Sequence, residues 1–428
     1  MREMKDNGVP WIGKIPVNWK TIRVKYISKL INGYAFKSQD LKADGYYKVV
    51  RIGDLNNNKI NLEDCLGVDD VDNYRDYKVY MGDVLVALSG ATVGKVAFVD
   101  NNIECYINQR VGIIRSFWGR FIFHIFTLDK FIENLKSCLN DSAQPNLSIE
   151  NIGGISIPMY DENTIKKIVR YLDDKCENID TIIAKEQSVI EKLQEYKQAV
   201  ITEAVTKGLD PNVDMIESDI SWIKIIPVTW KVSKLKYVAE FSPKCDFTDI
   251  EPDSEVTYTP MEYIKKGNYI PNSEAIGKLS ASLTKYEEGD IVIAKVTPCF
   301  ENGNIAIMNN LKSGKGLGSS ELFVFRVPEA IRKFVFYWMQ NKLFIEQCVA
   351  TMTGTGGLKR VSSYYISNSE ILLPPSEMID DICNYLDKKC ELIERTIRQK
   401  ELVINQLTEY KQSLIYEVVT GKKEVPHV

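Results

Sequence analysis

The segment Trp11-Ile-Gly-Lys-Ile-Pro-Val-Asn-Trp-Lys20 occurs again 211 positions later as Trp222-Ile-Lys-Ile-Ile-Pro-Val-Thr-Trp-Lys231, with seven of ten residues identical. A second pair, Glu191–Thr206 and Asn405–Thr420, is identical at nine of sixteen positions with an offset of 214. Self-similarity at a nearly fixed period indicates that one structural unit is encoded twice. Two similar units on one chain approximate a two-fold axis, which suits a target that is itself bipartite.

Each half of the chain has the same order of parts: an entry segment, a globular stretch and a long helix. The entry segments and the helices match between the halves, whereas the globular stretches match poorly. This contrast indicates a shared scaffold that carries two dissimilar globular domains. The predicted divisions are a first globular domain at 1–158 with entry segment 4–20, a helix at 159–210, a second globular domain at 211–374 with entry segment 215–231, and a helix at 375–428.

The long helices are predicted at about 162–207 and 376–420, because apolar residues recur there at alternating steps of three and four. This is the a/d pattern of a coiled coil. The predicted core positions are Leu172, Cys176, Ile179, Ile183, Ile190, Leu193, Leu386, Cys390, Ile393, Ile397, Ile404 and Leu407. We expect the two helices to pack against each other as an antiparallel coiled coil. In the alternative arrangement, each helix lies separately on its own globular domain.

The globular stretches carry both strand and helix patterns. Turn-then-strand signals occur at Gly82–Ala87 and Gly289–Ala294, and further strands are predicted at Lys95–Val99, Val111–Arg115, Asn304–Met308 and Leu322–Val327. Apolar residues at helical spacing in Gly119–Leu139 and Glu329–Ala350 predict helical segments that pack on a sheet. The predicted fold class is therefore α+β, with two mixed α/β domains joined by two long helices in a pseudo-two-fold internal repeat.

The composition is that of an ordinary globular protein, with 428 residues, 44% hydrophobic and 26% charged. No apolar run reaches the roughly 18 residues of a membrane span, and the charged N-terminal residues argue against a signal peptide, so a cytoplasmic location is expected. Nine dispersed cysteines without a Cys-x-x-Cys pair indicate reduced thiols, and two histidines argue against a zinc site. The net charge of −4 is an objection to nucleic-acid binding, although binding depends on where the charge lies.

One segment is similar to a phosphate-binding loop but does not meet its requirements. Ser89-Gly-Ala-Thr-Val-Gly-Lys95 has three residues between its glycines, whereas the loop needs four, and Val96 stands where a Ser or Thr would hold magnesium. We therefore expect no nucleotide site there. The polar residues of this loop remain candidates for contacts with a phosphate or a base edge.

Polar clusters recur at matching places in the two globular domains. Arg and Lys pair with guanine, Asn and Gln with adenine, and Ser and Thr hold phosphates. Ordinary solvent-facing loops are also polar, so each single residue has a purely structural alternative. The candidate DNA contacts are Arg51, Asn57, Lys59, Ser89, Thr92, Lys95, Asn108, Gln109, Arg110, Gln144, Asn146, Lys265, Lys266, Lys295, Thr297, Asn302, Asn304, Ser319, Ser320, Thr355, Lys359 and Arg360.

Two further groups of side chains have alternative interpretations. Glu321 is interpreted either as a salt-bridge partner of Arg326 or as an acceptor from cytosine. The tryptophans of the entry segments, at 11, 19, 222 and 230, are interpreted as anchors that hold each segment against a globular domain. Base stacking is their alternative role.

In combination, these motifs resemble the specificity subunits of type I restriction–modification enzymes. The matching elements are Ile-Pro-x-x-Trp-Lys at Ile15–Lys20 and Ile226–Lys231, Leu-x-Glu-Tyr-Lys-Gln near both helix ends, and Ala204-Val-Thr-Lys-Gly-Leu-Asp210 leading to Trp222-Ile. The resemblance covers essentially the whole chain. It implies a DNA-binding subunit without catalytic residues or a bound metal, in which each globular domain reads half of a split asymmetric site and the helices set the gap.

The resemblance also implies partners. These would be double-stranded DNA, two adenine methyltransferase subunits docked on the helical regions, and restriction subunits. S-adenosylmethionine, ATP and magnesium would be bound by those subunits and not by this chain. Two other hypotheses stay open at this point: a methyltransferase or nuclease active in its own right, and a coiled-coil scaffold that never binds DNA.

Overall fold

The computed structural model describes residues 3–69, 73–137, 146–355 and 357–426, without the side chain of Ala91. Among these residues no helix is long and apolar enough to cross a membrane. The helices are α1 (Gly119–Phe126), α2 (Asp129–Lys136), α3 (Ile149–Gly154), α4 (Glu162–Lys207), α5 (Leu235–Val238), α6 (Glu329–Trp338), α7 (Lys342–Ala350), α8 (Ser363–Asn368) and α9 (Ser376–Val419). The two long helices, α4 and α9, are thus confirmed almost to the residue.

The strands are short, and the described residues contain thirteen in the first half and fourteen in the second. In the first half they are β1 (Met4–Asp6), β2 (Lys14–Pro16), β3 (Lys20–Arg23), β4 (Lys29–Asn32), β5 (Tyr47–Val50), β6 (Leu55–Asn56), β7 (Lys59–Ile60), β8 (Gly67–Val68), β9 (Val84–Ala87), β10 (Val96–Phe98), β11 (Cys105–Ile107), β12 (Val111–Arg115) and β13 (Ser156–Met159).

In the second half they are β14 (Met215–Glu217), β15 (Ile225–Pro227), β16 (Lys231–Lys234), β17 (Glu240–Phe241), β18 (Glu255–Thr259), β19 (Ile264–Lys265), β20 (Asn268–Tyr269), β21 (Ser273–Ala275), β22 (Thr284–Glu287), β23 (Ile291–Ala294), β24 (Ile305–Ile307), β25 (Lys315–Gly318), β26 (Leu322–Arg326) and β27 (Glu370–Leu373). The six strands predicted from turn and alternation signals are all present.

Corresponding sheets are built in both halves, although the second of them has three described strands in the first half and four in the second. An antiparallel four-stranded sheet has the order β10-β9-β12-β4 in the first half and β24-β23-β26-β17 in the second. A second sheet contains one parallel pair in each half, β5 with β11 and β18 with β25. The central strands β9 and β23 are buried throughout, which accounts for their unbroken apolar sequences.

A charge pair between a buried aspartate and a half-buried arginine occurs at equivalent places in the two four-stranded sheets. Arg115 donates two hydrogen bonds of 2.8 Å to Asp83, a residue that is 1% exposed. Arg326 makes the same bidentate contact with Asp290, at 2.8 and 2.9 Å. The repetition of this pair shows that the globular domains share a framework even where their sequences match poorly.

The chain divides into two compact units, of which the first is built from two separate segments of the sequence. Unit 1 consists of Met1–Glu186 and Glu401–Val428, and unit 2 consists of Gln187–Lys400. The first part of α4 and the last part of α9 therefore belong to unit 1, and the remaining parts of both helices belong to unit 2. Each long helix thus contributes to two hydrophobic cores.

Within unit 1, the beginning of α4 packs on the sheet-covering helices and on the end of α9. Leu172, Cys176, Leu414 and Val418 are buried in one core with the helices α1 and α2. At the edge of this contact, the Lys411 ammonium donates to the Asp180 carboxylate at 2.6 Å.

Unit 2 has the reciprocal arrangement. Ile201 and Val205 near the end of α4 share a core with Ile382 and Leu386 near the beginning of α9. The two helices therefore run antiparallel, as predicted. Of the twelve core positions predicted for the coiled coil, which we call the seam, seven are buried and five are half-buried. The buried ones are Leu172, Cys176, Ile179, Ile190, Leu386, Cys390 and Ile393, and the half-buried ones are Ile183, Leu193, Ile397, Ile404 and Leu407.

Each entry segment anchors a tryptophan against the glycine that follows a long helix. Trp19 lies beside Gly421 in unit 1 and Trp230 beside Gly208 in unit 2, and both tryptophans are at most 6% exposed. A Cβ atom at position 421 would lie 2.1 Å from the Trp19 ring, and the glycine φ of +72° already disfavours other residues. The anchoring interpretation is therefore confirmed for these residues and for Trp11, which is 5% exposed.

The helical segments that cover the sheets are each divided into two helices, although their apolar spacing is continuous. Leu128 is extended (ψ 127°), and the Gln412 amide fills the break by donating to the Thr127 carbonyl at 2.9 Å and accepting from the Asp129 N–H at 3.1 Å. In unit 2 the break occurs where the Asn341 side chain caps α7.

A carboxylate on each long helix holds the covering helix of its own unit. Asp173 on α4 accepts hydrogen bonds from Arg120 at 2.7 Å and from the buried His124 ring at 2.8 Å. Asp387 on α9 accepts from the Tyr337 hydroxyl at 2.7 Å at the equivalent place. Burial lowers the pKa of His124, so its imidazole is neutral near pH 7 and its contact is a hydrogen bond rather than an ion pair.

Replacing a seam residue tests this packing. Leu386 is 0% exposed, so Leu386→Ala should lower the free energy of unfolding of unit 2 by about 3 kcal/mol, since it leaves a cavity. Leu392→Ala removes the same atoms from a side chain of α9 that is 60% exposed and should cost about 0.5 kcal/mol or less. Urea denaturation of the full chain, followed by amide exchange in α9, measures both. Equal losses of unfolding free energy in the two variants would contradict the packing of Leu386 in the helix–helix core.

Candidate nucleic-acid interface

Three segments of unit 1 meet where β9 ends. The Leu88 N–H donates to the Arg110 carbonyl at 2.9 Å, and the Leu147 N–H donates to the Leu88 carbonyl at 2.8 Å. Ser89 forms a bridge with Asn146. These backbone contacts bring three predicted site residues, Ser89, Arg110 and Asn146, side by side. We call this group corner 1.

Unit 2 has the same backbone arrangement where β23 ends. The Lys295 N–H donates to the Glu321 carbonyl at 3.0 Å, and the Val361 N–H donates to the Lys295 carbonyl at 2.9 Å. Val296 forms a bridge with Arg360. We call Lys295, Val296, Glu321 and Arg360 corner 2.

The two corners share a backbone and differ at every side chain. Leu88 corresponds to Lys295, Ser89 to Val296, Arg110 to Glu321, and Asn146 to Arg360, as their hydrogen-bonded partners require. Two corners built alike, with different donors and acceptors, can recognise two different arrangements of base edges.

Corner 1 presents unpaired hydrogen-bonding groups. The Arg110 guanidinium is exposed and forms no ion pair with any residue that the structure describes. The Ser89 hydroxyl is buried, with the residue 8% exposed, and has no hydrogen-bond partner among those residues. A buried hydroxyl without a partner is costly, so a ligand group that reaches it would be favoured.

Corner 2 presents a charge pair that is already formed. Arg360 donates to both Glu321 oxygens, with Nη2–Oε1 at 2.7 Å and Nε–Oε2 at 3.0 Å. This hydrogen bonding lowers the pKa of Glu321, so the carboxylate is ionised at neutral pH. The expected pair of Glu321 with Arg326 is wrong, because Arg326 binds Asp290 and, at 2.9 Å, Glu287 instead.

Other predicted residues of unit 1 surround corner 1 or lie away from it. The Asn108 N–H donates to the Val50 carbonyl, which brings Arg51 and the turn Asn108–Arg110 to the same strand ends. Thr92 and Lys95 belong to the loop that follows Ser89, and Gln109 is exposed within the turn.

The hairpin with Asn57 and Lys59 lies elsewhere, because the Asn58 carbonyl accepts from Phe98 at the far end of β10. Since β10 pairs with β9 in antiparallel register, this end is remote from Ser89. The structure therefore does not bring Asn57 and Lys59 to corner 1. Gln144 is outside the described residues.

In unit 2 several predicted residues hold the loops of corner 2 in place. The Thr297 hydroxyl donates to the Gly357 carbonyl at 2.8 Å and accepts from the Lys359 N–H at 2.9 Å. The Ser319 hydroxyl accepts from the Glu321 N–H at 3.2 Å. These two hydroxyls shape the corner, whereas Ser320, Thr355 and Lys359 are exposed beside it.

The remaining predicted residues of unit 2 line a separate cleft of about 2180 Å³. Its walls include Lys265 and Lys266 from a hairpin, Asn302 and Asn304 from the loop after β23, and part of α4. The predicted site of unit 2 is therefore divided between corner 2 and this cleft.

One feature of the sequence indicates the correspondence of the corners. Arg110 and Glu321 each stand immediately before a predicted strand, at Val111–Arg115 and Leu322–Val327. Aligning the two halves on these strands pairs the two residues. Among the described residues no group of three His, Cys, Asp or Glu side chains is placed to hold a metal ion, and the eight described cysteines are free thiols.

Known proteins resemble this chain in sequence. A family model described as the type I restriction modification DNA specificity domain matches residues 16–192. The type I restriction enzyme EcoAI specificity subunit of Escherichia coli is 35% identical over 155 residues, which are 35% of this chain and 26% of that protein. The alignment therefore spans about a quarter of this relative. The EcoKI specificity subunit of Escherichia coli strain K12 is 23% identical over 435 residues, which cover 96% of this chain and 90% of that protein.

The fold is shared with a solved structure. A chain from a study of complex assembly and conformational transition of the type I R-M system superposes with a TM-score of 0.67 at 16% identity, covering 96% of this chain and 99% of that chain. The predicted arrangement of two mixed α/β domains with two long helices is thus confirmed. The chain is therefore similar to type I restriction–modification specificity subunits, through a matching specificity domain at residues 16–192 and a weaker likeness over nearly its whole length.

Proposed function

We propose that this chain is the sequence-specific DNA-binding subunit of a type I restriction–modification complex and has no catalytic activity of its own. Each unit reads one half of a bipartite, asymmetric site through its corner, and the antiparallel helices set the gap between the halves. The observation that carries this proposal is the pair of corners with one backbone arrangement and different side chains. A protein that bound a symmetric target would need like residues at these places.

The chemistry of corner 1 favours guanine as one of its targets. A free guanidinium donates two hydrogen bonds to the O6 and N7 atoms of guanine, and an amide such as that of Asn146 pairs with adenine. In corner 2, Glu321 retains acceptor capacity for the amino group of cytosine while it holds Arg360 in a fixed orientation. The two half-sites should therefore differ in sequence.

The partners follow from the same proposal. Two adenine methyltransferase subunits dock on the helical regions and bring S-adenosylmethionine, and restriction subunits bring ATP and magnesium. The repeated surfaces of α4 and α9 support two copies of one partner. Val189 and Val403 are 39% and 38% exposed, and Tyr196 and Tyr410 are both 51% exposed. Apolar side chains retained on the surface at equivalent positions are typical of an interface.

Selection of bound duplexes from a random library tests the function. The full chain, with the methyltransferase subunits of its own system, should enrich two different half-sites separated by a constant gap. Its affinity should fall as the salt concentration rises, since phosphate contacts release counterions. Enrichment of one contiguous or symmetric site, or an affinity that does not depend on salt, would contradict the proposal.

Substitutions at the corners give a sharper test. Arg110→Ala should cost about 1–3 kcal/mol of binding free energy and relax one base position in one half-site only. Arg360→Ala should alter the other half-site, because it also releases Glu321. Arg170→Ala removes an exposed arginine from α4 of unit 1 and serves as the matched control, with no effect on base preference. Repeating the selection with each variant measures these changes. A uniform loss of affinity across sequences would identify the arginine as a phosphate contact instead.

A further inference from the structure

A short basic segment follows each entry motif and is repeated between the units. Lys20, Arg23, Lys25 and Tyr26 in unit 1 correspond to Lys231, Lys234, Lys236 and Tyr237 in unit 2, at the constant offset of 211. All eight side chains are exposed. We call these groups strip 1 and strip 2. The positive charge is the same in the two strips at each basic position, whereas the side chains of the two corners differ at every position.

These basic side chains have no acidic partner among the described residues. None of the six basic side chains forms an ion pair within the part of the chain that the structure describes. In each strip a lysine ammonium lies over the ring of the next tyrosine, with Lys25 at 5.2 Å from the Tyr26 centroid and Lys236 at 5.1 Å from the Tyr237 centroid. The tyrosines themselves are 67% and 74% exposed. Unpaired cations kept at equivalent places indicate an anionic ligand common to both units.

A short helix connects each strip to a corner. In unit 1, α3 begins three residues after Asn146 of corner 1, and at its other end a Cβ atom on Gly153 would lie 3.2 Å from the Lys25 Cβ. The Val24 N–H then donates to the Ile155 carbonyl that follows this helix. Six residues of α-helix span about 9 Å.

Unit 2 has the same connection. Helix α8 begins three residues after Arg360 of corner 2, and the N–H of Leu235, which lies between Lys234 and Lys236, donates to the Ser369 carbonyl that follows α8. The major groove of B-DNA is about 12 Å wide. A corner that enters the groove would therefore place its strip near the phosphates at the groove edge.

We propose that strips 1 and 2 bind the sugar–phosphate backbone of the DNA duplex beside each half-site, without reading its sequence. This rests on the proposed function, because the corners define where the duplex lies. The lysine and arginine side chains neutralise phosphates, and the tyrosine hydroxyls donate to phosphate oxygens. The net charge of −4 argues against nucleic-acid binding. The strips resolve this difficulty, since they concentrate positive charge beside each corner.

The test measures how the affinity for duplex DNA depends on the salt concentration, using the full chain with its methyltransferase subunits. The variants are Arg23→Gln with Lys25→Gln, and Lys234→Gln with Lys236→Gln. Each lost phosphate contact should reduce the slope of log K against log salt by about 0.9 and lower the affinity roughly eightfold at about 0.1 M salt. The loss should be the same for the selected duplex and for a scrambled one.

The matched control is Lys278→Gln with Lys312→Gln, which removes the same formal charge from lysines already paired with Glu274 and Glu255. It should leave the slope nearly unchanged. Strip variants that behave like this control, or that lose affinity only for the selected duplex, would overturn the inference. Strip variants that lose the methyltransferase subunits but keep the salt slope would show a protein interface and overturn it also. If the wild-type chain itself does not prefer the selected duplex over the scrambled one, the proposed function fails instead.

Discussion

The antiparallel packing of the two long helices is the constraint on which the rest of the structure depends. Because the beginning of each helix shares a core with the end of the other, neither unit is complete without the distant part of the chain. The tryptophan of each entry segment reinforces this closure by covering the glycine that ends the other half's helix. The two best-matching pairs of sequence are therefore contact partners: the entry motif of each half packs on a helix end of the other. A change in one would need a matching change in its partner, which accounts for their retained similarity.

The buried framework is common to the two units, whereas the exposed side chains at the corners differ. The order of the four-stranded sheet, its Arg–Asp pair and the short helix after each corner are repeated. The side chains at the corners are not. A buried framework tolerates little variation, because volume changes in a close-packed core are costly. Exposed loop ends can vary with small effects on stability, which allows one framework to carry two different sets of exposed side chains.

The sequence predicts the features that depend on local pattern. The heptad spacing predicts both long helices, and the turn-then-strand signals predict the central strands. Features that depend on distant contacts are missed. The break before Asp129 is stabilised by Gln412, which is 283 residues away. Nearness in sequence offers Arg326 as one possible partner of Glu321, yet these residues stand at opposite ends of β26, about 16 Å apart at 3.3 Å per residue. The strips depend on distant contacts in the same way, because only the structure shows which basic side chains have no acidic partner.

The central claim is that the paired helices set the distance between two readers. Its most direct test is to remove one heptad from the middle of α4 and the facing heptad from α9, and then to determine the selected site of the complex. Seven helical residues span about 10 Å, or roughly three base pairs at 3.4 Å each. The account predicts a gap shortened by about that amount between two unchanged half-sites. A changed half-site sequence, or an unchanged gap, would contradict it.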